Sequence, residues 1–96
     1  MKKWAVNRES GGMTITVKFF SLIREAVETE QLSLELDASM STVAGLKETL
    51  GARGEAWVEA LSHPNLIQAV NQRVVFEEEA INDGDEIAFF PPMTGG

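Results

Sequence analysis

The sequence predicts an α+β domain in which a mixed β-sheet carries its helices on one face. Three observations predict it. Residues 14–20 and 31–36 alternate polar and apolar with period two, which marks half-buried strands, and residues 86–90 form a final apolar strand run. Between them, apolar residues recur at three- and four-residue spacing, which marks amphipathic helices. The order strand, helical turn, strand, helices, two short strands and final strand keeps the helices apart from the sheet.

The first strand covers residues 14–20, with Ile15, Val17 and Phe19 facing the core. Ser21 then caps a short helix whose Leu22, Ile23, Ala26 and Val27 pack inward while Arg24 and Glu25 point out. Thr29 and Glu30 close that helix. Residues 31–36 alternate again, with Leu32, Leu34 and Leu36 on one face, and pair with the first strand through the helical turn. Ser39, Ser41 and Thr42 are N-cap candidates for a second helix bearing Val43, Leu46 and Leu50 at i, i+3 and i+7 and ending at Gly51. Gly45 weakens it by about 1 kcal/mol relative to alanine. Residues 55–61 form a third helix with Trp57, Val58 and Leu61 inward, and His63-Pro64-Asn65 breaks the pattern.

Two short strands over residues 66–70 and 73–76 flank Asn71-Gln72, because asparagine tolerates the left-handed backbone of a tight hairpin turn. The run Glu77-Glu78-Glu79 is a solvated edge or loop, with a docking patch as the alternative. Asn82-Asp83-Gly84-Asp85 is a strong turn signal, and residues 86–90 are the last strand. Both terminal strands are apolar enough to be central. They therefore lie side by side and parallel in an otherwise antiparallel sheet, an arrangement of the grasp type.

At 96 residues the chain holds one modest core and little room for an elaborate cleft, which favours an adapter or subunit over an independent enzyme. No stretch approaches the roughly 20 apolar residues of a membrane span, so a soluble, cytoplasmic protein without membrane contact is expected. Residues 1–12 carry Lys2, Lys3 and Arg8 without an apolar run and end in Ser10-Gly11-Gly12. They fail as a secretory signal and read as a disordered tag or alternative start, leaving a domain over 13–90 and a tail over 91–96. From Met13 onward five basic residues face fourteen acidic ones, a net charge of −9, which repels nucleic acid and suits a partner with a basic docking face.

Cysteine is absent and His63 is the single histidine, so there is no thiol nucleophile, no triad and no expected metal site. The carboxylates all lie in polar runs, with nothing apolar beside them to tune one for acid–base work. What is left for chemistry is the end of the chain, Pro91-Pro92-Met93-Thr94-Gly95-Gly96. The prolines stiffen the exit, and two glycines make the thinnest peptide available, able to enter a tunnel in a partner. Six extended residues reach roughly 20 Å. A terminal carboxylate is an anion at neutral pH and a poor electrophile, so it needs activation; ATP-dependent adenylation by a partner followed by sulfur attack leaves a thiocarboxylate. Ordering the thread costs roughly 1–2 kcal/mol per residue, so a docking surface must offset it. Phe76, Phe90, Pro91, Pro92, Met93 and Thr94 are the candidates for that surface. Of the neighbours Phe89 and Phe90, one must serve the core, and Phe76 and Phe90 are placed at the interface.

The ending D-G-D-E-I-A-F-F-P-P-M-T-G-G from Asp83, with V-K-F-F-S-L-I-R-E from Val17 and A-V-N-Q from Ala69, resembles the family of molybdopterin synthase small subunits. These are the ubiquitin-like, β-grasp sulfur carriers of molybdenum cofactor biosynthesis. The resemblance implies that Gly96, presented through Gly95, is adenylated by an E1-like enzyme with ATP and converted to a thiocarboxylate. It implies transfer of that sulfur to cyclic pyranopterin monophosphate inside a large subunit of a heterotetramer that supplies the catalytic side chains. No cofactor is held permanently. The leader departs from the family pattern. A sulfur carrier for thiamine thiazole synthesis, a protein modifier forming isopeptide bonds and a binding module with an inert tail are the alternatives.

Overall fold

A computed structural model of the chain describes residues 13–37 and 40–92. The leader 1–12, the cap candidate Ser39 and the tail residues Met93, Thr94, Gly95 and Gly96 lie outside the described residues. The described elements are β1 (Thr14–Phe19), α1 (Ser21–Val27), β2 (Gln31–Glu35), α2 (Val43–Gly51), α3 (Glu55–Leu61), β3 (Ile67–Val70), β4 (Arg73–Val75) and β5 (Glu86–Phe90). They form a five-stranded mixed sheet of order β2-β1-β5-β3-β4. β1 and β5 are parallel and central, and every other pairing is antiparallel. This is the ubiquitin-like β-grasp arrangement, with the helices on one face.

The core lies between that face and the helices. Ile15, Val17 and Phe19 of β1 and Ile87 and Phe89 of β5 meet Val43, Leu46 and Leu50 of α2, Ile23 and Val27 of α1, and Leu61 of α3. Leu32, Leu34 and Leu36 are half-buried against its rim. Leu46, Leu50, Ile87 and Phe89 are each 0% exposed, so they anchor the domain's hydrophobic stabilisation.

Two turns clamp the end of the sheet where β5 begins. Asn71 (φ 53°) and Gln72 (φ 70°) both adopt the left-handed backbone of a two-residue hairpin. The Asn71 side chain donates to Asp85 Oδ1 (2.9 Å) and accepts from the Glu86 backbone N–H (3.0 Å). In the second turn Gly84, at φ 84°, donates its N–H to the Thr14 carbonyl (2.7 Å), while the Thr14 N–H donates to Asp83 Oδ1 (2.9 Å). These bonds hold the first residue of β1 against the turn before β5, and so set the parallel register Thr16↔Glu86 to Phe19↔Phe89.

Thr42 caps α2 by accepting from the Gly45 N–H (3.2 Å). The neighbouring N–H groups of Val43 and Ala44 donate to the carbonyls of Glu79 and Glu77 (3.0 Å each). The acidic run is therefore a loop with a structural task, closing a helix N-terminus that would otherwise leave donors unsatisfied. Its side chains pair with Lys47 and Arg73.

Three local expectations need correction. Ser21 does not cap α1: the N-cap is Phe20, held extended by its N–H bond to the Phe89 carbonyl, and Ser21 is the first helical residue at φ 51°. Leu22 and Ala26 face solvent, since a two-turn helix lying on the sheet buries only the Ile23–Val27 pair. In α3 the inward stripe is Trp57, Ala60 and Leu61, at i, i+3 and i+4, and Val58 is 51% exposed. Gly51 is the last residue of α2, where the sequence ends that helix; a Cβ there would sit 3.3 Å from a Val58 methyl, so the glycine also permits the close approach of α2 and α3. His63 is exposed.

Candidate docking face and the base of the tail

β5 ends at Phe90 in the middle of the sheet, and Pro91-Pro92 follow directly, both half-buried. Strand alternation sends Phe89 to the helix-covered side and Phe90 to the other. The parallel neighbour repeats the pattern: Phe19 is 1% exposed and Phe20 is exposed. Each pair stacks. Phe19 and Phe89 lie 6.0 Å apart beneath the sheet, and the Phe20 and Phe90 rings lie 4.7 Å apart and within 5° of parallel on the outer side. Beneath them Trp57 and Phe19 form a T-shaped pair at 5.4 Å, with Arg53 over the Trp57 ring. The tail thus leaves from a base braced on both sides of the sheet, at the end opposite the clamped turns.

The outer face is apolar well beyond these rings. Register places Ile67 opposite Phe90, and Ala69 between Ala88 and Val74. Phe76, one residue past β4, continues the same side because Val75 opposes Gln68 on the core side. Val74 is 67% exposed and Phe76 is 75% exposed, so large apolar groups stand in water around a floor of two alanines. Among the described residues no helix covers this side. Lys18 and Glu86 form a 3.4 Å ion pair on the same side, between the stacked rings and the turn end. An apolar centre with a charged margin is the composition of a protein-binding surface.

Of the candidates read from the sequence, Phe76 and Phe90 fall on one face with Pro91 and Pro92 at its exit, while Met93, Thr94, Gly95 and Gly96 lie outside the described residues. Phe20, Ile67 and Val74 complete the face and were missed. The signal for Phe20 was its position one residue after core-facing Phe19, which sends it outward. Ile67 and Val74 needed the β3–β4 register, which short apolar runs do not reveal. Among the described residues no group of three His, Cys, Asp or Glu could hold a metal ion, and no helix is long and apolar enough to cross a membrane.

Known proteins resemble this chain in sequence and fold. The chain is 43% identical over 82 residues to the molybdopterin synthase sulfur carrier subunit of Escherichia coli (strain K12), covering 85% of this chain and 99% of that one. It is 40% identical to the protein of the same name from Haemophilus influenzae, over the same shares. Among solved structures it superposes with TM-score 0.64 and 25% identity on a chain in the protein–protein complex of subunits 1 and 2 of molybdopterin-converting factor from Helicobacter pylori 26695, covering 88% of this chain and all of that one. A model described as the ThiS family matches residues 17–96, from β1 through the Gly-Gly end, and the chain belongs to that family.

Proposed function

We propose that this chain is the sulfur carrier subunit of a molybdopterin synthase and that its Gly96 carboxyl is the group that carries sulfur. One observation carries the reading: the strand leading to the Gly-Gly end leaves the sheet centre beside an uncovered apolar face formed by Phe20, Phe90, Val74 and Phe76. The names of the relatives at 40–43% identity support it.

The Gly96 carboxylate attacks the α-phosphate of ATP in an E1-like adenylating enzyme, releasing pyrophosphate and forming an acyl adenylate. A sulfur nucleophile then displaces AMP and leaves a terminal thiocarboxylate. In a large synthase subunit, within a heterotetramer, each thiocarboxylate delivers one sulfur to cyclic pyranopterin monophosphate, two such deliveries build the dithiolene, and water restores each terminus to a carboxylate. The chain itself supplies three things. Its apolar face holds the partner and offsets the entropy of ordering the thread. The stacked phenylalanines and Pro91-Pro92 set the direction of exit. Gly95 and Gly96 keep the tip narrow enough for a closed site.

Intact-mass measurement of the full chain after incubation with the adenylating enzyme, ATP and a sulfur donor tests this. The expected product is heavier by the difference between one sulfur and one oxygen, and it returns to the starting mass after incubation with large subunit and pterin substrate. A persistent ladder of conjugates to lysines would replace the carrier reading with a protein modifier.

A further inference from the structure

Behind the edge of β4 a cleft of about 590 Å³ runs between α2 and α3, and a second of about 330 Å³ continues it along β3 and β4. Lys47, His63, Pro64 and Glu77 line both, so the two are one continuous groove. Its second half contains Gln68, which is 7% exposed and whose Oε1 is shut from solvent without a hydrogen-bond partner among the described residues. Burying an unpaired acceptor is unfavourable, and the terminal torsion of a glutamine side chain is broad enough to turn that oxygen toward an incoming donor. Val58, exposed at 51%, and buried Leu61 supply an apolar wall.

The groove abuts a free strand edge. β4 is the last strand of the sheet, and a two-residue turn makes Val70–Arg73 and Gln68–Val75 its hydrogen-bonded pairs with β3. The N–H and C=O of Val74 therefore point away from the sheet. Phe76 lines the groove mouth and also belongs to the outer apolar face, so the two surfaces are continuous. A free edge beside an apolar channel suits an extended polypeptide better than a small molecule, because main-chain pairing and a side-chain pocket act together.

We propose that this groove binds an extended segment of a partner protein, which pairs with Val74 as an added strand and inserts a donor-bearing side chain to meet Gln68 Oε1. Glu48 on the groove wall and the acidic surface of the domain favour a basic residue beside it. This site shares Val74 and Phe76 with the face assigned to the large subunit and adds Lys47, His63 and Gln68, while sulfur loading at Gly96 tests the carrier reading independently of it.

The test is selection of a phage-displayed random peptide library on the immobilised full chain, with binders mapped by amide chemical shifts. The expected binders shift Val74, Gln68 and Lys47. Gln68→Met weakens them roughly fivefold to tenfold, the loss of one buried hydrogen bond. Val74→Pro, which removes the outward N–H without removing a ladder bond to β3, abolishes the added strand and reports independently should Gln68→Met perturb folding. Binders that map elsewhere, binders indifferent to both substitutions, or groove occupancy by small apolar fragments alone would overturn the proposal.

Discussion

The two faces of the sheet differ by a single residue step along β1 and β5, yet they do opposite work. Phe19 and Phe89 are sealed beneath α1 and α3, while Phe20 and Phe90 stack on the bare side where the tail departs. The same side chain stabilises the fold on one face and offers a contact on the other. On the function proposed above, the covered face sets how stable the domain is, and the bare face sets what it can hold.

Substitutions separate the two roles. The largest expected effect lies on the covered face: Leu46→Ala, at a position 0% exposed, lowers unfolding free energy by about 2–5 kcal/mol in urea titration. Affinity of the remaining folded molecules for the large subunit is unchanged. On the bare face Phe76→Asp does the reverse. It weakens binding to the large subunit by about 2 kcal/mol or more in calorimetry, and shifts stability by no more than about 0.5 kcal/mol. Equal losses of stability from both substitutions would erase the distinction.

Phe20→Ala sharpens the comparison at the boundary, because it removes the ring stacked on Phe90. About 1 kcal/mol is lost, divided between melting temperature and binding to the large subunit. Thr42→Ala removes the cap that Gly45 donates to and costs about 1 kcal/mol of stability with no change in binding. Smallest is Val58→Ser, an exposed position on α3, expected to alter stability by no more than about 0.5 kcal/mol in the same titration.

Much of the covered face was legible from the chain. Strict alternation at Ile15, Val17 and Phe19 and the spacing of Val43, Leu46 and Leu50 identify inward residues without tertiary information. The apolar character of the two terminal strands was enough to place β1 beside β5, and Asn71-Gln72 announced its turn. The bare face was legible only in part. Phe76 and Phe90 stood out as apolar groups that a solvated edge does not need, whereas Val74 and Ile67 acquire their place through pairing between strands distant from the tail. Short helices were the weakest ground. Leu22 and Val58 have apolar side chains at helical spacing, but seven-residue helices bury only one pair or stripe, and which one depends on how they lie on the sheet. The role of the Glu77 and Glu79 carbonyls in closing α2 was invisible, since backbone bonds between remote segments leave no mark in side-chain pattern.

The claim beneath both faces is that they exist to present one acyl group. A chain lengthened by a single alanine after Gly96 tests it most directly, assayed by intact mass after activation and by sulfur delivered to the pterin substrate in the presence of the large subunit. Added methyl bulk at the tip should leave folding and docking intact while abolishing both thiocarboxylate formation and delivery. Delivery at the rate of the unmodified chain would contradict the account.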